Sequence, residues 1–222
     1  MVYQMRITNL DVIVTAPPAP GWGGRYWILV KLTTNMNVVG WGECYASSIG
    51  PKAMTTVIED VFERYFLDQS PENIELMFRQ TFSSGFTQRP DLSVMGAFSG
   101  LEIACWDILG KERNRPVWAL LGGKMNESIR AYSYLYPLEN HDLKSFWTSP
   151  EDAAESASDL VARGYTALKF DPAGPYTMRG GHQPALSDIE LCVSFMEEIR
   201  AAIGNSCLLY TSDAADDLDR GG

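Results

Sequence analysis

The segment SGLEIACWDILGKERNRPVWALLGG, residues 99–123, decides how the chain is read. It completes a helical pattern over about 92–112 in which Ala97, Gly100, Leu101, Ala104, Cys105 and Ile108 recur at three- and four-residue spacing. Small and apolar residues in that period predict a helix that packs closely and is mostly buried. Asp107 and Lys111 stand four apart, where opposite charges pair on a helix surface. A short apolar run, 116–121, then ends at Gly122-Gly123, so a domain boundary is expected near 123–127.

Upstream of this helix the pattern is that of an antiparallel meander. Residues 2–15 alternate as a strand, and 26–34 with 38–43 (VVGWGE) read as a hairpin turning at Asn35-Met36-Asn37. Between the first two strands lies APPAPGWGGR, 16–25, whose prolines and glycines cannot continue a ladder. It reads as a lid, as a Pro-rich ligand for a partner, or as an ordinary long loop. Helices are expected at 51–67 and 71–82, the second opening on Ser70-Pro71-Glu72 as N-cap, first-turn proline and early acid.

Downstream the rhythm changes to βαβα. Residues 128–136 and 165–171 read as strands, and 149–163 and 187–203 as helices, the first of them starting at Ser149-Pro150-Glu151-Asp152. In the last helix Ile189, Cys192, Val193, Met196, Ile199 and Ile203 make one apolar stripe, Ser187 with Glu190 forms a capping box, and Gly204 is the stop. Strands alternating with helices of this length argue for a parallel sheet, either doubly wound or closed as a barrel.

Composition narrows the classes. The net charge is −10, of which the four aspartates and one arginine of 212–222 contribute −3, and no basic stripe interleaved with aromatics is present. Nucleic acid is therefore not an expected partner. The four cysteines, Cys44, Cys105, Cys192 and Cys207, are widely spread, with no CxxC pair and no signal-peptide pattern, which favours the reducing cytoplasm. No apolar run approaches the roughly 18 residues of a membrane span, so no membrane partner is expected.

VVGWGE, SGLEIACWDILGKERNRPVWALLGG and GYTALKFDPAGP, in that order and spacing, resemble the N-terminal half of the mandelate racemase branch of the enolase superfamily, and within it the acid-sugar dehydratases of galactonate type. The resemblance covers residues 5 to about 204. It implies an α+β capping domain, 1–125, followed by a truncated TIM (β/α)8 barrel, 126–206, that holds the first two βα units. It also implies abstraction of the proton α to a carboxylate, made feasible by Mg2+, and then loss of water to a 2-keto-3-deoxy acid.

The same resemblance makes 16–25 and 43–53 specificity loops, with Trp22, Arg25 and Tyr45 as substrate contacts. Arg25 suits a carboxylate, because a guanidinium offers two parallel hydrogen bonds. Racemases of the family place a Lys-x-Lys pair on the second barrel strand. Here the triplet is Lys169-Phe170-Asp171, so Lys169 is the catalytic candidate, in an electrostatic or substrate-contacting role, and Asp171 a substrate contact. Strand alternation sends both to one side, the interior of a barrel. His182 is a further candidate at the mouth of the site, and His141 is expected to be solvated.

The family's metal ligands follow its third, fourth and fifth barrel strands, so Mg2+ is implied for the full-length parent and none is expected to bind this fragment. From 205 a third strand is due, and CLLYT imitates one. Read back into codons, 207–217 can be encoded by a sequence that looks like a transposase adapter, so 207–222 is expected to be non-native. The spacing of Asp213, Asp216, Asp217 and Asp219 lacks the alternate ligands and terminal Glu of an EF-hand. The expected protein is thus an inactive piece of a cytoplasmic, homo-oligomeric hydro-lyase acting on a small sugar acid. The alternatives are a racemase or cycloisomerase of the same superfamily and a non-catalytic binding module.

Overall fold

The computed structural model describes residues 4–19, 26–45, 49–172 and 184–211. The chain divides into two compact units, Met1–Met125 and Asn126–Gly222.

The first unit is built on an antiparallel sheet of β1 (Ile7–Thr15), β2 (Trp27–Thr34) and β3 (Val39–Cys44), in that spatial order. β2 alternates cleanly, with Ile28, Val30 and Leu32 turned inward, as its period-two pattern requires. The β2–β3 turn places Asn37 at φ 60°, a left-handed position that asparagine tolerates better than most residues. The inner sheet face meets α1 (Pro51–Tyr65) and α3 (Leu92–Glu112), against which α2 (Ile74–Ser84) packs, and the single turn α4 (Val117–Leu120) follows. Met54, Ile58, Phe66, Met77, Phe98, Leu101 and Ile108 fill the core between these layers.

Helix α3 lies against β3 at backbone contact distance. A Cβ added at Gly40 would lie 2.0 Å from the Ala104 carbonyl oxygen, one at Gly42 2.0 Å from that of Gly100, and one at Gly100 2.2 Å from Cys44 Sγ. This explains the composition of the two motifs. The glycines of VVGWGE face the small residues of α3, and only hydrogen atoms fit between strand and helix. The Asp107–Lys111 pair forms at 2.5 Å and also stitches α3 to the strand, since Asp107 accepts the Trp41 N–H at 2.9 Å and Lys111 donates to the Val39 carbonyl at 2.9 Å. At its start, α3 is capped by Asp91, whose carboxylate accepts the N–H groups of Ser93 and Val94.

Three expectations for this unit are revised. Ser70-Pro71-Glu72 does not open α2: Ser70 closes a turn onto Asn73, and the helix begins at Ile74. The last part of 51–67 is likewise not helical, α1 ending at Tyr65. And against the expectation that no apolar run approaches membrane length, α3 is by length and composition apolar enough to cross a membrane, glycine, serine and a few charged residues being too few to lower its hydropathy below that level. Its apolar side is instead taken up by the sheet and the neighbouring helices.

The second unit holds β4 (Ser133–Tyr134), α5 (Pro150–Ala162), β5 (Ala167–Lys169), α6 (Leu186–Ile203) and β6 (Leu208–Tyr210). The three short strands are parallel and ordered β4-β5-β6. Leu168, Phe170 and Leu209 point to the helix side, where they pack with Ala153, Ala157, Phe195 and Ile199. Ser149 caps α5 by accepting the Asp152 N–H at 3.2 Å, and Gly204, at φ 64°, ends α6.

Here too the structure departs from the pattern. Only two of the nine residues at 128–136 form ladder. The apolar stripe of α6 is split, because Phe195, Ile199 and Ile203 are buried while Ile189 and Val193 are about half exposed. Helical spacing gives the azimuth of a residue, whereas burial depends on which neighbours stand there. Capping falls to Asp188, which accepts the Ala185 N–H, in place of the Ser187–Glu190 box. His141 is not solvated: its side chain is 3% exposed, stacked on Phe146, with Nδ1 accepting the Leu138 N–H and Nε2 facing Glu155 at 3.1 Å.

Candidate functional site

On the side of the parallel sheet away from its helices, alternation brings one set of side chains into register. Tyr134 on β4 is the ladder partner of Lys169 on β5, and Lys169 that of Tyr210 on β6. Since Leu135, Leu168 and Leu209 occupy the helix side, Tyr132, Tyr134, Lys169, Asp171 and Tyr210 share the opposite face. The Lys169 Nζ lies 5.8 Å from the centroid of the Tyr132 ring, within cation–π range. Tyr132 in turn meets Tyr210 edge to face at 6.2 Å, and Tyr134 lies 5.5 Å from Tyr136.

The electrostatics of this face follow from partial burial and one carboxylate. The Tyr134 phenol is pushed up to about 12, first by burial and next by the negative charge of Asp171, with Tyr136 adding a smaller push. A backbone hydrogen bond links the same phenol to Asp171 and pulls slightly the other way. Cys192 of α6 donates its thiol to the Pro172 carbonyl at 3.2 Å, and burial together with the charges of Asp171 and Asp188 raises its pKa. The exit of β5 is therefore held from β4 by Tyr134 and from α6 by Cys192. Chemically, the face presents an ammonium over an aromatic ring, a carboxylate two residues on, and the Tyr134 phenol.

Of the residues singled out from sequence, Lys169 and Asp171 are brought to this one face. Tyr45 stands in the first unit, just beyond β3, with its side chain 77% exposed. Trp22, Arg25 and His182 lie outside the described residues. Tyr132 and Tyr134 were missed. Their signal was present in the alternating tyrosines of 132–136, which sequence reading took only as strand propensity.

Among the described residues, no group of three or more His, Cys, Asp or Glu side chains is placed to hold a metal ion. Those residues do not fit a magnesium centre.

Known proteins place this arrangement in context. Residues 22–122 match the family described as mandelate racemase / muconate lactonizing enzyme, N-terminal domain. The mandelate racemase/muconate lactonizing enzyme from Sulfitobacter sp. is 70% identical and superposes with a TM-score of 0.88, over 94% of this chain and 53% of that one. The D-gluconate/D-galactonate dehydratase of Picrophilus torridus is 30% identical over 192 residues, 85% of this chain and 46% of its own length. The D-galactonate dehydratase of Klebsiella pneumoniae is 28% identical over 183 residues, 81% of this chain and 42% of its own. The chain thus spans about half the length of these relatives. With the close-packed sheet-and-helix unit at 22–122, its parallel-stranded continuation and these likenesses together, the chain belongs to the mandelate racemase/muconate lactonizing enzyme family of the enolase superfamily and carries that family's N-terminal domain.

Proposed function

We propose that the chain forms the capping domain and the first strands of a (β/α)8 barrel in a cytoplasmic, homo-oligomeric, Mg2+-dependent acid-sugar dehydratase, and that the 222-residue chain by itself has no turnover. In this reading 207–222, Tyr210 included, is not part of the lyase, whose residues on this face are Tyr132, Tyr134, Lys169 and Asp171, and the metal ligands come from outside the described residues. One observation carries it. Lys169 stands at the carboxyl end of a parallel strand, on the face away from the helices, where barrel enzymes of this type bind substrate.

Lys169 then neutralises the substrate carboxylate and holds it against the sheet. An ammonium about 4 Å from a carboxylate near a protein surface gains about 4 kcal/mol before desolvation is counted. Asp171, facing the same space, accepts hydrogen bonds from sugar hydroxyls. It also argues against a lysine base on this strand, since it occupies the position of the second lysine in racemases of the family. The likeness to proteins named as gluconate and galactonate dehydratases supports elimination over racemisation.

The test joins residues 1–204 to the remaining half of the Sulfitobacter sp. protein and assays D-gluconate, D-galactonate and a panel of other sugar acids for 2-keto acid formation with semicarbazide. Dehydration by the chimera, and its loss by at least about a hundredfold in Lys169→Ala, is the expected outcome. Racemisation without dehydration, or full activity in Lys169→Ala, would overturn the reading. Turnover by the 222-residue chain alone would overturn its second half.

A further inference from the structure

Nothing in the dehydratase reading assigns a role to Tyr132, yet its ring lies under the Lys169 ammonium, with Nζ 5.8 Å from the ring centroid. Lysine carries its ammonium on four rotatable bonds, and a reacting group left that free loses orientation and pays entropy each time it binds. Something must hold it. Lys169 ends β5 and Tyr132 immediately precedes β4; Tyr134 is the ladder partner of Lys169, so Tyr132 lies two residues before that partner, on the same face by alternation. Two residues before Lys169 on the same face of β5 is Ala167, whose side chain is only a methyl group. Tyr132 is itself 55% exposed, so its ring is available to an approaching group and is not needed as core.

We propose that Tyr132 is a positioning residue for Lys169: the face of its ring holds the ammonium in one direction above the sheet, in readiness for an anionic group. A cation–π contact is suited to this task. It orients the ammonium without neutralising it, whereas a carboxylate partner would hold it equally well and cancel the charge that a carboxylate substrate has to find. The phenolic hydroxyl plays no part in the contact, so phenylalanine should serve as well as tyrosine, and leucine should not.

The positional part of the inference stands independently of the dehydratase reading, and the functional part rests on it, so two measurements separate them. In the 222-residue chain, reductive 13C-methylation labels the lysines, and Lys169→Arg identifies the Lys169 signal. Its dimethylammonium resonance should be displaced upfield by the ring current and show an NOE to the Tyr132 ring protons. The displacement should persist in Tyr132→Phe and vanish in Tyr132→Leu. An undisplaced Lys169 signal in the parent chain, or an upfield shift that survives in Tyr132→Leu, overturns the inference. Should leucine perturb folding, the NOE in the unsubstituted chain decides alone. In the chimera, Tyr132→Leu should raise KM for the sugar acid about two- to fivefold, the range of a partly exposed cation–π contact, with Tyr132→Phe restoring it. Equal kinetics in all three forms overturn the functional part. An inactive parent chimera speaks against the dehydratase reading and leaves the NMR result to decide the placement.

Discussion

Replacing Gly42 by alanine probes the contact that sets the first unit. The new Cβ would lie 2.0 Å from the Gly100 carbonyl oxygen, 1 Å short of the 3.0 Å limit that real Cβ atoms observe, with the Gly100 carbonyl carbon at 3.0 Å and the Ala104 nitrogen at 3.1 Å. Every one of these is helix backbone, so no side chain can swing aside and α3 must move as a body. Overpacking of this kind costs about 3 kcal/mol, the upper part of its usual range. Alanine also restricts the unfolded chain relative to glycine, which offsets about 0.4–1 kcal/mol. The net loss of about 2–2.5 kcal/mol, in a unit of some 125 residues, lowers Tm by about 6–12 °C. Thermal unfolding of the whole chain, followed by tryptophan fluorescence and near-UV circular dichroism, measures it. Glu43→Ala serves as the control, since the neighbouring exposed side chain is expected to matter by less than about 0.5 kcal/mol. A Gly42→Ala protein melting within about 2 °C of its parent would show that strand and helix do not meet as described.

Asp91→Ala removes the carboxylate that caps two N–H groups of α3, and urea titration should show a loss of about 1 kcal/mol, with Asp91→Asn retaining most of it. Asp107→Ala should cost about 1–2 kcal/mol by the same method, more than an ordinary surface ion pair, because it also strips the Trp41 N–H of its acceptor. The Glu155 carboxyl is held below its ordinary 4.5 by hydrogen bonds from His141 and then Asn140. A depressed acid stabilises the fold above its unfolded pKa and loses that contribution as pH falls through the folded one. Melting temperatures measured downward from pH 5.5 should therefore decline less steeply in Glu155→Gln than in the parent, and parallel curves would remove the His141–Glu155 contact from the account.

Local chemistry was enough for much of this protein. The period of 27–34, the Ser149 cap, the Gly204 stop and the change from antiparallel meander to βα rhythm all depend on neighbours within a few residues, and such neighbours are visible in a linear string. So was the shared orientation of Lys169 and Asp171, because alternation on a strand needs no partner to define it. What lay beyond the string were relations between distant segments. The glycines at 40 and 42 stood in a segment read only as a hairpin strand, and it is Gly100 and Ala104, some sixty residues on, that require them, by bringing helix backbone against the strand. His141 is buried only because Phe146 and Glu155 come to it, and Ile189 and Val193 are exposed only because the described chain packs nothing over that side of α6. Tyr132 acquired a meaning only when β4 paired with β5 and set a ring beside the Lys169 charge. Periodicity fixes where a side chain points along its own element, whereas function and burial depend on what another element has placed there, and that second half is a property of tertiary structure alone.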